Sequence, residues 1–308
     1  FGGDADAATS EALFNRALDA GITTFDCANV YAGGRSEELL GRFAKGRRDG
    51  LVLTTKAYFP TGDGPNDRGS SRYHLIAAVE ASLKRLKTDR IDVFFLHRHD
   101  DATPMEETLL ALDYLVQQGK ILYPAVSNFS AWQAMKALGC ARALNLVPMV
   151  ATQPMYNLVK RQAEVEILPM AASEGLGVMP YSPLGGGLLT GKYGRGRRPG
   201  SGRIVDNKMY TTRYESEANF AVADAFGALA DEVNIHPVSL AIAWVAAHPA
   251  VTAPLIGARN LEQLEPALAA VDVPMDEALR ARISALSPTP PPATDRNEES
   301  SAHNYGSR

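Results

Sequence analysis

The chain has 308 residues, 45% hydrophobic and 21% charged, with a net charge of −4; this is the make-up of an ordinary globular protein with ample length for a large core. Scattered Lys and Arg exclude nucleic acid as an expected partner. The most apolar stretch, Ser239 to Ala258, is broken by His248, Pro249 and Pro254, so it reads as a helix, a break and a strand rather than a membrane span. No signal peptide is visible, and Cys27 and Cys140 lie too far apart for a CxxC zinc pair or a disulfide framework. That pattern predicts a protein of the reducing cytoplasm.

Apolar runs alternate with amphipathic ones along the whole chain. A helix over Thr9–Ala20 precedes a strand at Ile22–Asp26, a helix at Ser36–Phe43 and a strand at Leu51–Ala57. Ser71–Leu86 reads as a helix behind an N-cap serine, followed by the strand Ile91–Leu96. Pro104–Gln118, with Glu106 and Glu107 in its first turn, leads to the strand Ile121–Ser127, and Ser130–Leu138 to Met149–Gln153. Gln162–Ser173, the strand Gly177–Tyr181, the helices Ala218–Val233 and Pro237–Ala247, and the strand Ala253–Ile256 complete the pattern. Gly21, Gly119 and Gly175 stand where helices should stop. Two long loops, Tyr58–Ser70 and Leu184–Tyr214, leave strand C-termini, where binding loops and lids are expected.

Unbroken strand–helix alternation predicts a parallel sheet covered on both faces. A closed (β/α)8 barrel needs eight strands and seven are visible. FGGDADA reads as the loop into the first helix, and the chain opens on Phe1 rather than methionine, so the first strand is expected ahead of it. The expectation is an α/β fold, a (β/α)8 TIM barrel forming a single domain over 1–308, with 287–308 as an irregular tail. An open doubly wound sheet is the alternative, but its GxGxxG turn after a strand is not found.

Asp26, Tyr31, Lys56 and His97 stand at or just past the ends of strand-like runs, in ITTFDCANVY, LVLTTKAY and IDVFFLHR. A phenol titrates near ~10, too high for efficient proton donation at neutral pH, and a nearby ammonium lowers that value. A carboxylate beside the lysine keeps the ammonium charged and placed. Together with an imidazole, these groups can deliver a proton to a carbonyl oxygen. Each alone has an ordinary reading: a loop tyrosine, a barrel lysine in need of a partner, turn residues at Ser127-Asn128, a solvated Arg259. Cys27, next to Asp26, should face away as a small buried hydrophobe.

FDCANVYAGGRSEELLG, LVLTTKAY, IDVFFLHRHD, AVSNF, TQPMYN, YSPLGGGLLTGKY and IGARNLEQ resemble, in order, the segments of the aldo-keto reductase family, from Phe1 to about Leu286. The resemblance implies NADPH-dependent reduction of aldehydes or ketones without a Rossmann fold. Tyr31 would be the general acid, Lys56 would lower its pKa, Asp26 would hold Lys56, and His97 would orient the carbonyl. Ser127, Asn128 and Gln153 would fix the nicotinamide carboxamide, with Tyr181 stacked on the ring. Ser182, Pro183 and the backbone of Leu184 to Leu188, including Gly187, would wrap the pyrophosphate with Lys192. Arg259 would meet the 2′-phosphate, with Gly257 and Gln263 as further cofactor-binding residues. Pro266 and Ala267 depart from the family's Glu-Asn adenine contacts, and Asn29 replaces a more usual acidic residue.

Tyr58, Phe59, Arg98, Phe129 and Trp132 are the pocket candidates for a small-molecule carbonyl substrate, with Arg98 suited to a polar or anionic group. His97-Arg98-His99 also spells HxH, but later strands supply no further metal ligands, so no metal is expected. His74, His236, His248 and His303 read as helix or surface positions. Arg195, Arg197, Arg198 and Arg203 form either a solvated loop or a clasp over phosphates. YSPLGGGLLTGKYG and HRHD-like stretches also resemble potassium-channel β subunits, the alternative being a nucleotide-binding regulatory protein with little turnover. Monomer and homo-oligomer both stay open.

Overall fold

Side-chain caps start several helices, and the first begins at Ala7, two residues ahead of the expected Thr9. Asp6 accepts a hydrogen bond from the Thr9 amide at 2.8 Å to open α1 (Ala7–Asp19). The computed structural model describes residues 1–293 and divides into two units, Phe1–Gln153 with Gly257–Leu264 and Pro154–Ile256 with the residues from Glu265 onward. In the first unit α2 is Arg35–Phe43, α3 is Arg72–Leu86 behind the Ser71 cap, α4 is Met105–Gln117, and α5 is Ala131–Ala143 behind a Ser130–Gln133 capping box.

Between them run β1 (Thr24–Asp26), β2 (Val52–Ala57), β3 (Ile91–Leu96), β4 (Ile121–Ser127) and β5 (Ala151–Gln153). All four pairings are parallel, and each strand neighbours the next in sequence. A doubly wound sheet would reverse that order partway. This is the α/β strand order of a partial (β/α)8 barrel. The register sets Asp26 against Thr54, Lys56 against Phe95 and Ser127 against Gln153. Because side chains alternate along a strand, Thr54 and Lys56 share one face and Leu53, Thr55 and Ala57 the other. The outer face carries the core: Leu53, Ala57, Phe94 and Val126 are fully buried beneath the helices. Phe14 meets Phe25 at 4.4 Å and Phe43 at 5.5 Å between centroids, which joins α1, β1 and α2.

A buried polar pin ties three elements together. Glu37 on α2 is wholly buried, takes the Thr55 hydroxyl of β2 at 2.5 Å, and pairs with Arg85 Nε of α3 at 2.6 Å. At the opposite end of β3, Asp92 accepts from the Leu53 amide at 2.7 Å and pairs with Arg48 at 2.8 Å.

The second unit holds α6 (Ile167–Glu174), β6 (Gly177–Val178), α7 (Arg203–Asp206), α8 (Lys208–Tyr214), α9 (Glu217–Glu232) and α10 (Pro237–Ala246). Helix α11 (Leu261–Leu268) crosses the boundary between the units, and α12 (Glu277–Ser284) follows. The strand expected at Ala253–Ile256 is extended chain instead. The Thr252 and Leu255 amides bond to the Val178 and Pro180 carbonyls at 2.9 and 2.8 Å, so it runs beside β6 in strand-like fashion. Pro254 has no N–H to give, but the Ala253 and Leu255 amides on either side of it still bond to the Val178 and Pro180 carbonyls. The loop Leu184–Tyr214 is largely structured, with a 3-10 segment Gly185–Thr190 before α7 and α8. The helices α11 and α12 carry no start signal that the sequence reading used. Residues 287–293 form no helix or strand, and the rest of the expected tail lies outside the described residues.

Candidate active site

Three strand ends and one turn bring the four expected side chains together in the first unit. Lys56 Nζ, fully buried, donates to Asp26 Oδ2 at 2.5 Å and to the Cys27 carbonyl at 2.6 Å. It lies 5.2 Å from the centroid of the Tyr31 ring. The Tyr31 and His97 rings meet edge to face at 5.8 Å. Tyr31 sits on a turn whose next three residues, Ala32, Gly33 and Gly34, all have positive φ. That left-handed run explains the glycines and feeds directly into α2.

The Asp26 carboxylate is held from both oxygens. Besides Lys56 at Oδ2, Oδ1 accepts from the Thr54 hydroxyl at 2.6 Å and from Gln153 Nε2 at 3.0 Å. Burial opposes charge on Lys56, but Asp26, helped by Tyr31, outweighs it and holds the ammonium above its usual range. The Tyr31 phenol departs from the expectation of a net lowering. Loss of solvent around its hydroxyl raises the pKa more than Lys56 lowers it, and Asp26 adds to the rise. The side chain keeps 40% of its surface, but its hydroxyl end reaches a lysine with none. Burial, reinforced by the Lys56 charge, pushes His97 down to about 4, so its imidazole is neutral near pH 7. Its Nδ1 is buried without a hydrogen-bond partner.

Ser127, Asn128 and Gln153 form one hydrogen-bonded group beside this centre. Ser127 Oγ donates to the Gln153 carbonyl at 3.0 Å, and Asn128 Nδ2 to the His97 carbonyl at 2.9 Å. Of the pocket candidates, Phe59 packs edge-on against His97 at 4.9 Å, Tyr58 meets Phe59 at 5.3 Å, and Arg98 lies 5.9 Å over the Tyr58 ring. Trp132 is 62% exposed at the head of α5, while Phe129 is 3% exposed and packs behind His99. His97 and His99 do not converge: His99 turns to Asp101 at 3.0 Å and to Phe129 and Trp132. Cys27 is wholly buried with Sγ 3.2 Å from Ser36, on the side away from the centre, and burial pushes its thiol up to about 11.

The second unit carries the expected phosphate-binding segment. Gly185, Gly186 and Gly187 have φ of 57, 67 and 99°, a left-handed turn in which the Gly185 and Gly187 amides bond to the Ser182 and Leu184 carbonyls at 3.0 Å. A Cβ on Gly186 would fall 2.7 Å from Tyr210 Cδ1, and one on Gly187 would fall 3.8 Å from Lys192 Nζ. Space excludes a side chain at Gly186, and positive φ disfavours one at Gly185 and Gly187. A close-approach turn with the Lys192 ammonium beside it suits an anionic group such as a pyrophosphate. Ser182, also at positive φ, gives its carbonyl to the Gly185 amide and to Asn157 Nδ2. Tyr181 bridges to Met155, Pro183 lies between Ser182 and Leu184, Leu184 packs on Val238 and Ile242, and Leu188 is fully buried.

Gly257, Arg259 and Gln263 belong to the first unit. The Arg259 amide donates to Gln263 Oε1 at 3.2 Å, and its guanidinium is 3.7 Å from Asp4. Ala267, in place of a polar adenine contact, is buried with Val238 and Ile242, and Pro266 accepts the Ser239 hydroxyl. The loop arginines are engaged rather than free: Arg197 and Arg198 lie on Asp224 and Phe220 of α9, the Arg195 amide donates to Asp224, and Arg203 lies over Tyr210. His74 is buried, His236 and His248 each accept a backbone amide at a helix boundary, and His303 lies outside the described residues. The sequence reading missed Thr54, although its two-residue spacing from Lys56 put it on the same face. It also missed the buried Glu37, which gave no such signal.

The aldo/keto reductase family model matches residues 1–288. The chain is 37% identical over 284 residues to a probable voltage-gated potassium channel subunit beta of Arabidopsis thaliana, covering 89% of this chain and 85% of that one. A protein of the same description from Oryza sativa subsp. japonica matches at the same identity and coverage. The uncharacterized oxidoreductase YrpG of Bacillus subtilis (strain 168) is 38% identical over 304 residues, covering 94% of this chain and 90% of its own. Among the described residues no helix is long and apolar enough to cross a membrane. With its parallel strands in sequential order and a Lys56–Asp26 pair beside Tyr31 and His97, the chain belongs to the aldo/keto reductase family.

Proposed function

We propose that the protein is an NADPH-dependent reductase of aldehydes or ketones, with Tyr31 as the proton donor. The observation that carries this reading is the contact of Tyr31 with a fully buried Lys56, itself 2.5 Å from Asp26. The bound nicotinamide nucleotide supplies the hydride. Tyr31 carries its proton at neutral pH and gives it to the carbonyl oxygen as negative charge develops there. Lys56 stabilises the phenolate left behind, and the adjacent Asp26 keeps Lys56 an ammonium. His97 is neutral and so has one N–H to donate, which orients the carbonyl toward Tyr31.

Ser127, Asn128 and Gln153 would hold the carboxamide, Tyr181 the ring, Ser182 to Leu188 with Lys192 the pyrophosphate, and Arg259 the 2′-phosphate, with Gly257 and Gln263 as further cofactor-binding residues. Arg259 favours the phosphorylated nucleotide because a guanidinium pairs well with a phosphate. The site lies in a cytoplasmic protein on this reading, with a small carbonyl compound as substrate. Steady-state loss of NADPH absorbance over a panel of aldehydes and ketones tests it. Turnover that collapses in Tyr31→Phe, with nucleotide binding intact, supports the reductase. The two relatives described as probable potassium channel subunits beta favour a second reading, a nucleotide-binding regulatory protein. Tight nucleotide binding with no turnover across the panel would select it.

A further inference from the structure

We propose that Thr54, together with the Gln153 amide, is a positioning residue that locks the Asp26 carboxylate so that its second oxygen is committed to Lys56. The inference rests on the reductase reading, and it assigns a task to a residue with no contact to the reacting groups. Asp26 Oδ1 is occupied by two donors, the Thr54 hydroxyl at 2.6 Å and Gln153 Nε2 at 3.0 Å. Oδ2 receives only Lys56, at 2.5 Å, among the bonds to this carboxylate. A carboxylate rotates freely about its terminal torsion unless both oxygens are held. Turned by a quarter, Asp26 would no longer meet Lys56 squarely, and the ammonium would lose its fixed place against Tyr31.

The placement follows from the strands. Thr54 and Lys56 share the inner face of β2, two residues apart, and Thr54 is the register partner of Asp26 on β1. Gln153 ends β5, so the lock draws on two strands besides the one carrying Asp26. Both donors are interior: Thr54 has no exposed surface and Gln153 has 2%. Water cannot readily replace either of them. The orientation of the Gln153 amide follows from chemistry, since an ionised carboxylate only accepts hydrogen bonds. The titratable groups facing Asp26 are Lys56, Tyr31 and His97.

Gln153 is also proposed to touch the nicotinamide carboxamide, so the clean test is Thr54. Thr54→Val removes the hydroxyl and little else, and Thr54→Ser keeps the donor. Two readouts are paired. In the nucleotide-free protein, the NMR signal of the Lys56 ammonium, assigned by its loss in Lys56→Met, reports how tightly Asp26 holds it. Thr54→Val is expected to speed exchange of those protons about tenfold or more, and Thr54→Ser to restore them. In turnover, Thr54→Val is expected to lower kcat about tenfold and shift its pH profile, with KM and nucleotide affinity unchanged. Should Thr54→Val fail to fold, Gln153→Leu removes the other donor at the same oxygen and is read by the ammonium signal.

Unchanged ammonium exchange and pH profile in a folded Thr54→Val would overturn the proposal, as would a loss that Thr54→Ser does not repair. If the wild type shows no turnover, the reductase reading falls, and the ammonium signal still decides the role of Thr54.

Discussion

Arg85→Met puts the buried pin behind the active site to a quantitative test. Glu37 has no exposed surface, and its charge is met by Arg85 Nε at 2.6 Å and the Thr55 hydroxyl at 2.5 Å. Removing one partner of a buried pair leaves an uncompensated charge, which costs about 3–5 kcal/mol. The Arg85 side chain keeps 26% of its surface, so water can reach part of the vacated space. The Thr55 bond also survives, and these two features set the expected loss near the lower bound, about 3 kcal/mol. With a urea m-value of roughly 3 kcal/mol/M for a chain of this size, the midpoint should fall by about 1 M with m unchanged. Circular dichroism against urea measures it. Glu37→Gln added to Arg85→Met removes the stranded charge and should recover about 1–3 kcal/mol as a coupling energy. A midpoint within about 0.2 M of wild type for Arg85→Met alone would refute the argument. So would a double variant as weak as the sum of its parts.

Tyr31→Phe should lower kcat about 10²–10⁴-fold, the usual worth of a placed general acid, with nucleotide affinity measured by fluorescence unchanged. His97 should make folding weaker in acid. Its folded pKa of about 4 lies below the unfolded value near 6.5, so its contribution is fully present above about pH 6.5 and is lost as pH falls toward 4. The loss is on the order of 3 kcal/mol between those limits, and His97→Gln should flatten the pH dependence of urea midpoints in that window. Gly186→Ala should weaken nucleotide binding in a fluorescence titration, because φ of 67° strains a Cβ that would also strike Tyr210; binding equal to wild type would remove the glycine turn from the proposed site. Cys27, buried with a thiol pushed up to about 11, should resist alkylation near pH 8 in a Cys140→Ser background until denaturant is added.

Strand order was legible because it follows from alternation alone. Each apolar run is separated from the next by one amphipathic helix, and a chain built that way places successive strands side by side. Boundaries followed where a cap marked them, as at Ser71 and Ser130. They failed at the last expected strand: Ala253–Ile256 bonds to the Val178 and Pro180 carbonyls but forms no regular strand, although its residue types suit one. The helices α7 and α8 were hidden because the run from Arg195 to Arg203 reads as loop, and their buried residues, Ile204 and Tyr214, are too few to make a period.

The four central side chains could be found from sequence because each carries chemistry at a strand end, yet their titration behaviour could not. The sign of the Tyr31 shift depends on how much solvent its hydroxyl loses, a property of the fold and not of the motif. Proximity to Lys56 argued for a lowered value; burial reverses it. The same limit hid the residues that hold the centre in place. Thr54 is an ordinary strand residue by type, and it becomes significant only when the β1–β2 register sets it against Asp26. Glu37 looks like a solvated helix-start carboxylate beside Glu38, and only the packing of α2 on α3 shows which of the two is buried. A substitution at either Thr54 or Glu37 would therefore be judged harmless from residue type, and the structure argues otherwise by different routes. Loss of Thr54 should appear in the pH profile and in the Lys56 ammonium signal. Loss of the Glu37 pair should appear first in the urea midpoint, and in turnover only as far as the Tyr31 turn loosens.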